Sequence, residues 1–418
     1  MSLFRINGGK QLHGTVAISG SKNAVLPILA ATLLTDEPCI LRNVPRIKDV
    51  ERLLELLASL GVTHEWTSEH DLRVVARDAH LQTLDRKTFA SLRGSLLLWG
   101  SLVTRFRDVT IPEAGGDIIG NRPIDAHLSA LQQLGATIER QDGLYHFSAP
   151  NGFVGALVIL PEFSVTATEI ALMAAVRAKG QTVIKIAAAE PHVQDLALFL
   201  QEMGAKIAGA GTHTLTIQGV SQLHGADHTV IPDQIEVGTF AVAAAVTGGD
   251  VLITNIVADH VDLVRSKLHQ IGVKTELTDH SLHVTASFPL RSFRLQTFPY
   301  PGFPTDLQAP FGVLATQCSG TSLIHDPMYE GRLGYVSELI KMGANAIICD
   351  PHRVLVTGPT PLHGQEVKSL DIRAGATLLI AGLIADGETI IHDAEVLDRG
   401  YEKFEERLRN IGAEITRE

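Results

Sequence analysis

The C-terminal stretch from Tyr401 to Thr416, YEKFEERLRNIGAEIT, decides the fold because its pattern occurs five more times along the chain. A charged amphipathic helix ends in an apolar residue, which is followed by Gly, then by Ala or Val, and then by a strand. The six glycines lie 74, 69, 68, 71 and 69 residues apart, a regularity that chance rarely produces. The sequence therefore predicts six repeats, centred on Gly61, Gly135, Gly204, Gly272, Gly343 and Gly412.

Most of the repeats also contain a second helix of a different kind. Each repeat glycine suits the position after a helix, where a positive φ costs glycine little. The second helices are rich in small residues and apolar nearly all round, which predicts that they are buried inside a domain. They lie at 24–34, 166–178, 238–246 and 374–385. The order of elements predicts an α/β fold of six βαβαββ repeats, with helices inside and sheets outside.

The length of the chain predicts two domains of three repeats each, since 418 residues exceed what one core usually holds. Residues 4–19 precede the first buried helix and have no partner nearby, so we expect them to complete the last repeat. The chain then crosses between the domains near 20–22 and near 230–233. We expect one domain at 22–231 and a second, of the same architecture, at 1–21 plus 232–418.

Composition excludes several classes of function. The formal net charge of −11 argues against binding to nucleic acid or to anionic membranes. The three cysteines show no metal or disulfide spacing, and we expect reduced thiols in a cytoplasmic protein. The N-terminus has no signal peptide pattern, and no apolar run is long enough to span a bilayer. We expect neither a metal nor a cofactor, since the H-x-x-x-H pair, His224 and His228, lies in a polar stretch.

The stretch from Pro112 to Asp125 is the most unusual part of the chain, with three glycines within six residues. Such a run predicts a mobile loop that can approach a ligand closely. Asp117 lies at its centre, and Arg122 lies just before a predicted helix. Two interpretations are open: the acids are turn or cap residues and Arg122 is a solvated charge, or the loop binds an anion.

Six cations lie at loop or helix-start positions in four of the six repeats. In an acidic protein, such a cluster suits a small anion with several charges. Taken alone, Lys22 also fits a solvated charge, and Asp306 fits either a helix cap or a base in a cleft. The six cations are Lys22, Arg93, Arg122, Arg332, Arg373 and Arg399.

The motifs around these residues resemble those of the UDP-N-acetylglucosamine 1-carboxyvinyltransferase family over the full chain. The matching motifs are Phe4-Arg5-Ile6, Ser21-Lys22-Asn23-Ala24, Gly120-Asn121-Arg122-Pro123-Ile124-Asp125, Phe303-Pro304-Thr305-Asp306, Asp371-Ile372-Arg373-Ala374 and Asp398-Arg399-Gly400-Tyr401. The resemblance implies an inside-out α/β prism, the enolpyruvyl transferase fold, whose two domains close on the substrates with a mobile catalytic loop at 112–125. The more distant shikimate-pathway enolpyruvyl transferase shares this fold but is not expected to share these motifs.

The resemblance also implies a reaction, which transfers the enolpyruvyl group of phosphoenolpyruvate to the 3-hydroxyl of UDP-N-acetylglucosamine and releases phosphate. This is the first committed step of peptidoglycan synthesis, and it connects the family with cell wall biogenesis, cell shape, cell division and the cell cycle.

The implied catalytic residues are Lys22, Asp117, Asp306 as the base, and Arg399. Phosphoenolpyruvate is held by Lys22, Arg122 and Arg399 at its phosphate and by Arg332 and Arg373 at its carboxylate, and Arg93 also faces this anion. The acceptor is held by Asn23 and Asp306 at the sugar, by Arg122, Pro123, Ile124, Asp125, Ala126, Ser164 and Val165 at the uridine diphosphate, and by Met328.

The chain departs from the family pattern at four positions. Most members have a cysteine where Asp117 stands, so Asp117 is a candidate general acid. Fosfomycin alkylates the family's loop cysteine, and we therefore expect insensitivity to it. Cations are usual in the family where this chain has Glu162, Ala189 and Gln234. Two alternatives follow, namely a paralogous enolpyruvyl transferase with a different nucleotide or sugar acceptor, and a non-catalytic nucleotide-binding regulator on the same scaffold.

Overall fold

The computed structural model describes residues 2–115, Gly120 and residues 122–418. The centre of the loop predicted at 112–125, including Asp117, lies outside the described residues.

The described residues form thirteen α-helices and five short 3-10 helices. The α-helices are α1 Lys22–Ala31, α2 Lys48–Ser59, α3 Arg86–Ser91, α4 Leu98–Phe106, α5 Asp125–Gln133, α6 Val165–Ala175, α7 Pro191–Glu202, α8 Gln234–Val246, α9 Asp262–Ile271, α10 Gln308–Thr316, α11 Tyr335–Lys341, α12 Ile372–Ile384 and α13 Phe404–Asn410. The 3-10 helices are Thr32–Leu34, Arg93–Leu97, Ala258–His260, Thr305–Leu307 and Ala394–Arg399.

The described residues also form 24 strands, most of them three to six residues long. They are β1 Leu3–Asn7, β2 His13–Ala17, β3 Cys39–Arg42, β4 Thr63–Trp66, β5 Leu72–Val75, β6 Asp108–Pro112, β7 Thr137–Gln141, β8 Leu144–Ser148, β9 Leu157–Ile159, β10 Gln181–Lys185, β11 Lys206–Ala208, β12 Thr214–Gln218, β13 Asp227–Thr229, β14 Asp250–Thr254, β15 Lys274–Leu277, β16 Ser281–Thr285, β17 Leu290–Arg291, β18 Arg294–Gln296, β19 Cys318–His325, β20 Asn345–Asp350, β21 Arg353–Gly358, β22 Glu366–Lys368, β23 Glu388–His392 and β24 Glu414–Arg417.

The described chain forms two compact units with separate hydrophobic cores. The N-terminal unit contains residues 20–115 and 122–231, and the C-terminal unit combines residues 2–19, Gly120 and Pro232–Glu418. Each unit has three sheets. Their strand orders are β13-β3-β5-β4, β6-β8-β7 and β11-β12-β10-β9 in the first, and β15-β16-β14-β2, β17-β19-β21-β20 and β22-β23-β1-β24 in the second, where β18 also pairs with β19. The assignment of 22–231 and of 1–21 plus 232–418 as domains stays a prediction.

The small-residue helices are buried, as their composition predicts. Every residue from Ala167 to Ala175 in α6 and from Ile235 to Val246 in α8 is buried. The same holds from Ile372 to Leu383 in α12. Alanine and glycine leave room for close packing, so the interior of each unit is helical.

The six repeat glycines all have the positive φ that a helix end requires. Their φ angles are 83° at Gly61, 103° at Gly135, 99° at Gly204, 104° at Gly272, 100° at Gly343 and 106° at Gly412. Any other residue would be strained there, which is why the glycine recurs.

The N-terminal segment is divided between two repeats. β1 lies between β23 and β24 and pairs antiparallel with both, so it completes the last repeat as expected. β2 instead runs parallel to β14 of the fourth repeat, with His13 opposite Asp250. The expectation that all of 4–19 completes the last repeat is therefore wrong for β2, because a parallel partner more than 200 residues away leaves no local signal.

Among the described residues, no helix is both long enough and apolar enough to cross a membrane.

Candidate active site

Asp306 of the C-terminal unit binds two arginines from two other segments. It lies in the 3-10 helix Thr305–Leu307, which precedes α10. Its Oδ1 accepts a short hydrogen bond from Nη2 of Arg332, and its Oδ2 lies 3.0 Å from both Nε and Nη2 of Arg373. The side chain of Asp306 caps no helix, so the interpretation as a helix cap is wrong. One carboxylate thus binds two guanidinium groups.

Both guanidinium groups are buried, and each has a donor that no described residue accepts from. The side chains of Arg332 and Arg373 are only 9% and 6% exposed. Nε of Arg332 and Nη1 of Arg373 have no hydrogen-bond partner among the described residues. Buried N–H groups are rarely left unpaired in native proteins, and a carboxylate or phosphate is the natural partner of a guanidinium group. The cluster is therefore chemically suited to a bound anion.

Arg373 stays a cation in this surrounding. Burial lowers its pKa, but Tyr401, Asp306 and Asp233 raise it, and the pKa lies above its ordinary value. Its guanidinium carbon lies 5.2 Å from the centre of the Tyr401 ring. The Tyr401 hydroxyl lies 3.0 Å from Oγ1 of Thr239.

Asp371 orders the start of α12, where Arg373 is the second residue. Its Oδ1 accepts hydrogen bonds from the backbone N–H groups of Arg373, at 2.8 Å, and Ala374, at 3.0 Å. The same atom lies 3.8 Å from Nη1 of Arg332. The motif Asp371-Ile372-Arg373 thus combines a helix cap with a second anionic neighbour for Arg332.

A buried aspartate that the sequence analysis missed holds the segments on either side of this cluster. Asp326 is fully buried and accepts hydrogen bonds from Thr297, from Thr305 at 2.5 Å, and from the N–H of Met328 at 2.9 Å. Thr305 precedes Asp306, and Met328 is predicted to contact the acceptor substrate. Asp326 therefore fixes two predicted site segments, although nothing in its local sequence distinguishes it from a turn residue.

Arg399 is the last residue of the 3-10 helix Ala394–Arg399 and is partly buried. Its neighbour Asp398 binds Arg417 of β24 through two hydrogen bonds of 2.8 and 2.6 Å. Arg417 also lies 3.2 Å from Glu405. The C-terminal strand thereby anchors the turn that carries Arg399.

Lys22 of the N-terminal unit is not a solvated charge. It is the first residue of α1, and its Nζ lies 2.8 Å from Oδ2 of Asp49 in the first turn of α2. The two side chains are 13% and 4% exposed. Asn23 follows Lys22 on α1 and is partly buried. The alternative of a solvated Lys22 is therefore wrong, because a buried carboxylate requires a cationic partner.

Arg93 begins the 3-10 helix Arg93–Leu97, and its Nη2 donates a 2.8 Å hydrogen bond to the carbonyl oxygen of Arg122. This bond joins Arg93 to the described end of the loop at 112–125. Pro123 and Asp125 are exposed, whereas Ala126 is buried in α5.

Two residues missed by the sequence analysis connect the predicted nucleotide segments. Nε2 of His127 in α5 lies 2.6 Å from Oγ1 of Thr166 in α6. Ser164 caps α6 through a 3.4 Å hydrogen bond from the N–H of Ala167. The segments 122–126 and 164–165 are therefore neighbours in the N-terminal unit. A buried histidine on a short helix gave no sequence signal of this contact.

His127 is neutral near pH 7. Burial, Arg93 and Arg122 lower its pKa to about 4. A neutral imidazole avoids adding a third cation beside the two arginines.

The positions where the family usually has cations differ in their surroundings. Glu162 is exposed, Ala189 is buried before α7, and Gln234 is the partly buried first residue of α8.

Comparison with known proteins shows relatives over the whole chain. The sequence profile described as EPSP synthase (3-phosphoshikimate 1-carboxyvinyltransferase) matches residues 6–408. A UDP-N-acetylglucosamine 1-carboxyvinyltransferase of Bradyrhizobium diazoefficiens is 43% identical and covers 99% of this chain and 97% of its own. A UDP-N-acetylglucosamine 1-carboxyvinyltransferase 1 of Caldanaerobacter subterraneus is 45% identical and covers 99% of both chains.

Solved structures show the same fold. The crystal structure of the enolpyruvyl transferase NikO from Streptomyces tendae has a TM-score of 0.90 at 26% identity, covering 100% of this chain and 99% of its own. An EPSP synthase from Acinetobacter baumannii has a TM-score of 0.76 at 19% identity, covering 100% and 99%. The predicted enolpyruvyl transferase fold is thus confirmed. The chain belongs to the UDP-N-acetylglucosamine 1-carboxyvinyltransferase family and is a transferase.

Proposed function

We propose that this transferase moves the enolpyruvyl group of phosphoenolpyruvate to the 3-hydroxyl of UDP-N-acetylglucosamine and releases phosphate. The observation that carries the proposal is the cluster of Asp306, Arg332 and Arg373, which combines a proton acceptor with buried guanidinium donors that have no partner among the described residues. Relatives that are 43–45% identical over the full chain carry the corresponding name.

Arg332 and Arg373 hold the carboxylate of phosphoenolpyruvate. Nε of Arg332 and Nη1 of Arg373, which lack a partner in the part of the chain that the structure describes, support this role, because two donors on neighbouring guanidinium groups match two carboxylate oxygens. Lys22, Arg122 and Arg399 hold the phosphate, and Arg93 adds a further cation.

The reaction proceeds by addition and elimination. Asp306 takes the proton of the 3-hydroxyl, whose oxygen then bonds to C2 of phosphoenolpyruvate while C3 gains a proton. The resulting tetrahedral adduct loses a proton from C3 and breaks the C2–O bond to phosphate, which restores the double bond. Positive charge that develops at C2 is offset by the bound trianion, and the cations fix this anion in place.

Asp117 is the general acid that protonates C3 in place of the family's cysteine. The negatively charged substrate favours the protonated carboxyl group that this role requires. We predict that Asp117→Ala lowers kcat by roughly 10²- to 10⁴-fold, the range of general acid catalysis, while Asp117→Cys retains part of the activity. Steady-state rates test this, and equal rates for wild type and Asp117→Ala would remove Asp117 from the mechanism.

Fosfomycin is a second probe of the same position. A carboxylate is a poorer nucleophile than a thiolate, so the wild-type enzyme is insensitive and Asp117→Cys becomes sensitive. Mass spectrometry of the intact protein detects the adduct, and an adduct on the wild-type chain would contradict this prediction.

The acceptor binds through Asn23 and Asp306 at the sugar. Arg122, Pro123, Ile124, Asp125, Ala126, Ser164, Val165 and Met328 form the remaining contacts. The His127–Thr166 hydrogen bond supports this, because it holds the segments 122–126 and 164–165 side by side. The full-length relatives do not favour a different acceptor or a non-catalytic regulator, despite Glu162, Ala189 and Gln234.

The cellular role follows from the reaction. We place the protein in the cytoplasm, at the first committed step of peptidoglycan synthesis, and hence in cell wall biogenesis, cell shape and division. It acts on small molecules, without nucleic acid, membrane or cofactor.

Phosphate release tests the proposal. Purified protein is incubated with phosphoenolpyruvate alone, with phosphoenolpyruvate plus UDP-N-acetylglucosamine, and with phosphoenolpyruvate plus other nucleotides and sugars. Release only with UDP-N-acetylglucosamine supports the proposal. Release only with another acceptor, or no release across a range of pH, refutes it.

A further inference from the structure

A buried ionic network in the N-terminal unit connects α7 with β13. Nε2 of His228 lies 3.2 Å from Oδ1 of Asp195, and its Nδ1 lies 2.9 Å from Oε2 of Glu202. The side chains of His228 and Asp195 are 5% and 2% exposed. Because both ring nitrogens face carboxylates, both must donate, so the imidazole is protonated. Burial lowers the pKa of His228, but the two carboxylates raise it, and the net shift is upward.

The second carboxylate oxygen of Asp195 binds the backbone of a different segment. Oδ2 accepts a hydrogen bond of 3.2 Å from the backbone N–H of Ile231. The carbonyl oxygen of Ile231 in turn accepts a 2.7 Å hydrogen bond from the N–H of Ser21. Two hydrogen bonds thus join a buried carboxylate to the residue that precedes α1.

Ser21 determines how α1 begins. It is the N-cap residue, yet its side chain makes no capping hydrogen bond. Its carbonyl oxygen accepts from the N–H groups of Ala24 and Val25, which starts the helix. At a helix start, a serine hydroxyl ordinarily helps to hold the N-cap conformation. For α1, the hydrogen bond between Ser21 and Ile231 has this role instead.

Lys22 and Asn23 follow directly on Ser21. We propose that Asp195, held by His228, is a positioning residue that sets Lys22 at the start of α1 for the phosphate of phosphoenolpyruvate. Asp195 acts through Ile231 and Ser21. This inference rests on the proposed role of Lys22 in the transferase reaction.

The proposal differs from a purely structural role in what it predicts for the two substrates. A network that only holds α7 against β13 affects unfolding, or both substrates alike. A network that positions Lys22 affects phosphoenolpyruvate more than the nucleotide because, apart from Asn23, the nucleotide's proposed contacts in the N-terminal unit lie at 122–126 and 164–165, on α5, α6 and the segments before them.

The principal variant is Asp195→Asn, which keeps the shape and removes the charge. We expect KM for phosphoenolpyruvate to rise about tenfold, KM for UDP-N-acetylglucosamine to stay within about twofold, and the far-UV circular dichroism to be unchanged. In a Lys22→Arg background, Asp195→Asn should add less than about twofold, because both changes act on the same contact. Equal changes in both KM values, or full additivity with Lys22→Arg, would overturn the proposal.

His228→Gln provides a second route if Asp195→Asn fails to fold. Glutamine can still donate to Asp195, so this variant should show a smaller rise in KM for phosphoenolpyruvate with the same selectivity. His283→Gln is the matched control, since His283 also binds a carboxylate, that of Asp250 at 2.5 Å, in the C-terminal unit. It should leave both KM values unchanged, and a selective effect of His283→Gln equal to that of His228→Gln would contradict the proposal.

Direct binding separates this inference from the proposed function. Calorimetric titration of wild type and Asp195→Asn with phosphoenolpyruvate needs no turnover. A wild-type protein that binds phosphoenolpyruvate without turnover would refute the proposed function but would still test the inference through the ratio of the two Kd values. Equal Kd values would refute the inference alone.

Discussion

The charged groups of the two units are balanced differently. In the C-terminal unit, the Asp306 carboxylate lies between two buried arginines, each of which has one donor without a partner among the described residues. In the N-terminal unit, Lys22 forms an ion pair with the buried carboxylate of Asp49. The first arrangement keeps buried donors for an anion, and the second is a buried ion pair of opposite charges.

This difference predicts different roles for the two clusters. The arginine cluster supplies attraction for an incoming anion, because each guanidinium group keeps a donor that has no partner among the described residues. The Lys22–Asp49 pair supplies a fixed position, because a compensated and buried cation has little freedom to move. Changes in the first should therefore alter catalysis, and loss of Asp49 from the second should alter stability.

Asp306→Asn should have the largest effect. Removing the base lowers kcat by roughly 10³-fold, within the usual range for general base catalysis. KM for phosphoenolpyruvate should not rise, since both arginines are released for the substrate carboxylate. Steady-state kinetics test this split. Asp350→Asn is the control, because Asp350 also binds an arginine, at 2.6 Å, but lies on the surface. A rise in KM for phosphoenolpyruvate without loss of kcat would show that Asp306 acts in substrate binding and not as the base.

Asp49→Asn should destabilise the protein by about 3 kcal/mol, because it removes the negative charge of a buried ion pair. Urea unfolding measures this change. Asp36→Asn is the control, since Asp36 pairs with Arg105 at 2.7 Å but is 68% exposed, and it should cost less than about 1 kcal/mol. Equal costs for the two variants would show that the Lys22–Asp49 pair is not a buried structural pair.

Arg373→Lys should lower kcat/KM for phosphoenolpyruvate by about 30-fold. Arg373 binds Asp306 through Nε and Nη2 and has a third nitrogen, Nη1, for the substrate. Lysine keeps the charge, but its single Nζ cannot replace all three nitrogens. Arg353→Lys, at the surface pair with Asp350, should change kcat/KM by less than about twofold. Retention of full activity in Arg373→Lys would mean that charge alone matters in the cluster.

The pH dependence of stability should show the smallest effect. Because burial, Arg93 and Arg122 lower the pKa of His127 to about 4, the unfolded chain binds a proton at a higher pH than the folded chain does. This contribution to stability is complete above about pH 6.5 and is lost as the pH falls towards 4. Between pH 7 and pH 5 the loss should be about 2 kcal/mol.

Urea unfolding of wild type and His127→Asn at both pH values isolates this contribution. The variant should lose about 2 kcal/mol less than wild type over this interval, whereas the exposed His280→Gln should behave as wild type. An unchanged pH dependence in His127→Asn would contradict the assignment of a neutral, buried His127.

Most of the fold was predictable from the sequence because each repeat marks the end of its helix with a glycine. A helix that ends at a glycine of positive φ recurs at regular spacing, and Ala-rich helices that are apolar all round have to be buried. The partner of β2 was not predictable, because parallel pairing with β14 depends on distant parts of the chain.

The site was predictable to the extent that its residues belong to motifs. Asp306, Arg332 and Arg373 lie in such motifs, and the structure brings them together. His127, Asp195 and Asp326 do not, since each is a buried polar group whose partners lie on other elements. For Asp306, local sequence also fitted a helix cap, and only the distant arginines exclude that interpretation.

Direct identification of the product tests the central claim most directly. Wild-type protein is incubated with phosphoenolpyruvate and UDP-N-acetylglucosamine, and the nucleotide product is examined by mass spectrometry and NMR. We predict one enolpyruvyl group in ether linkage to the 3-oxygen of the sugar, formed in a one-to-one ratio with phosphate. Unmodified UDP-N-acetylglucosamine after prolonged incubation, or an enolpyruvyl group at any other position, would contradict the account.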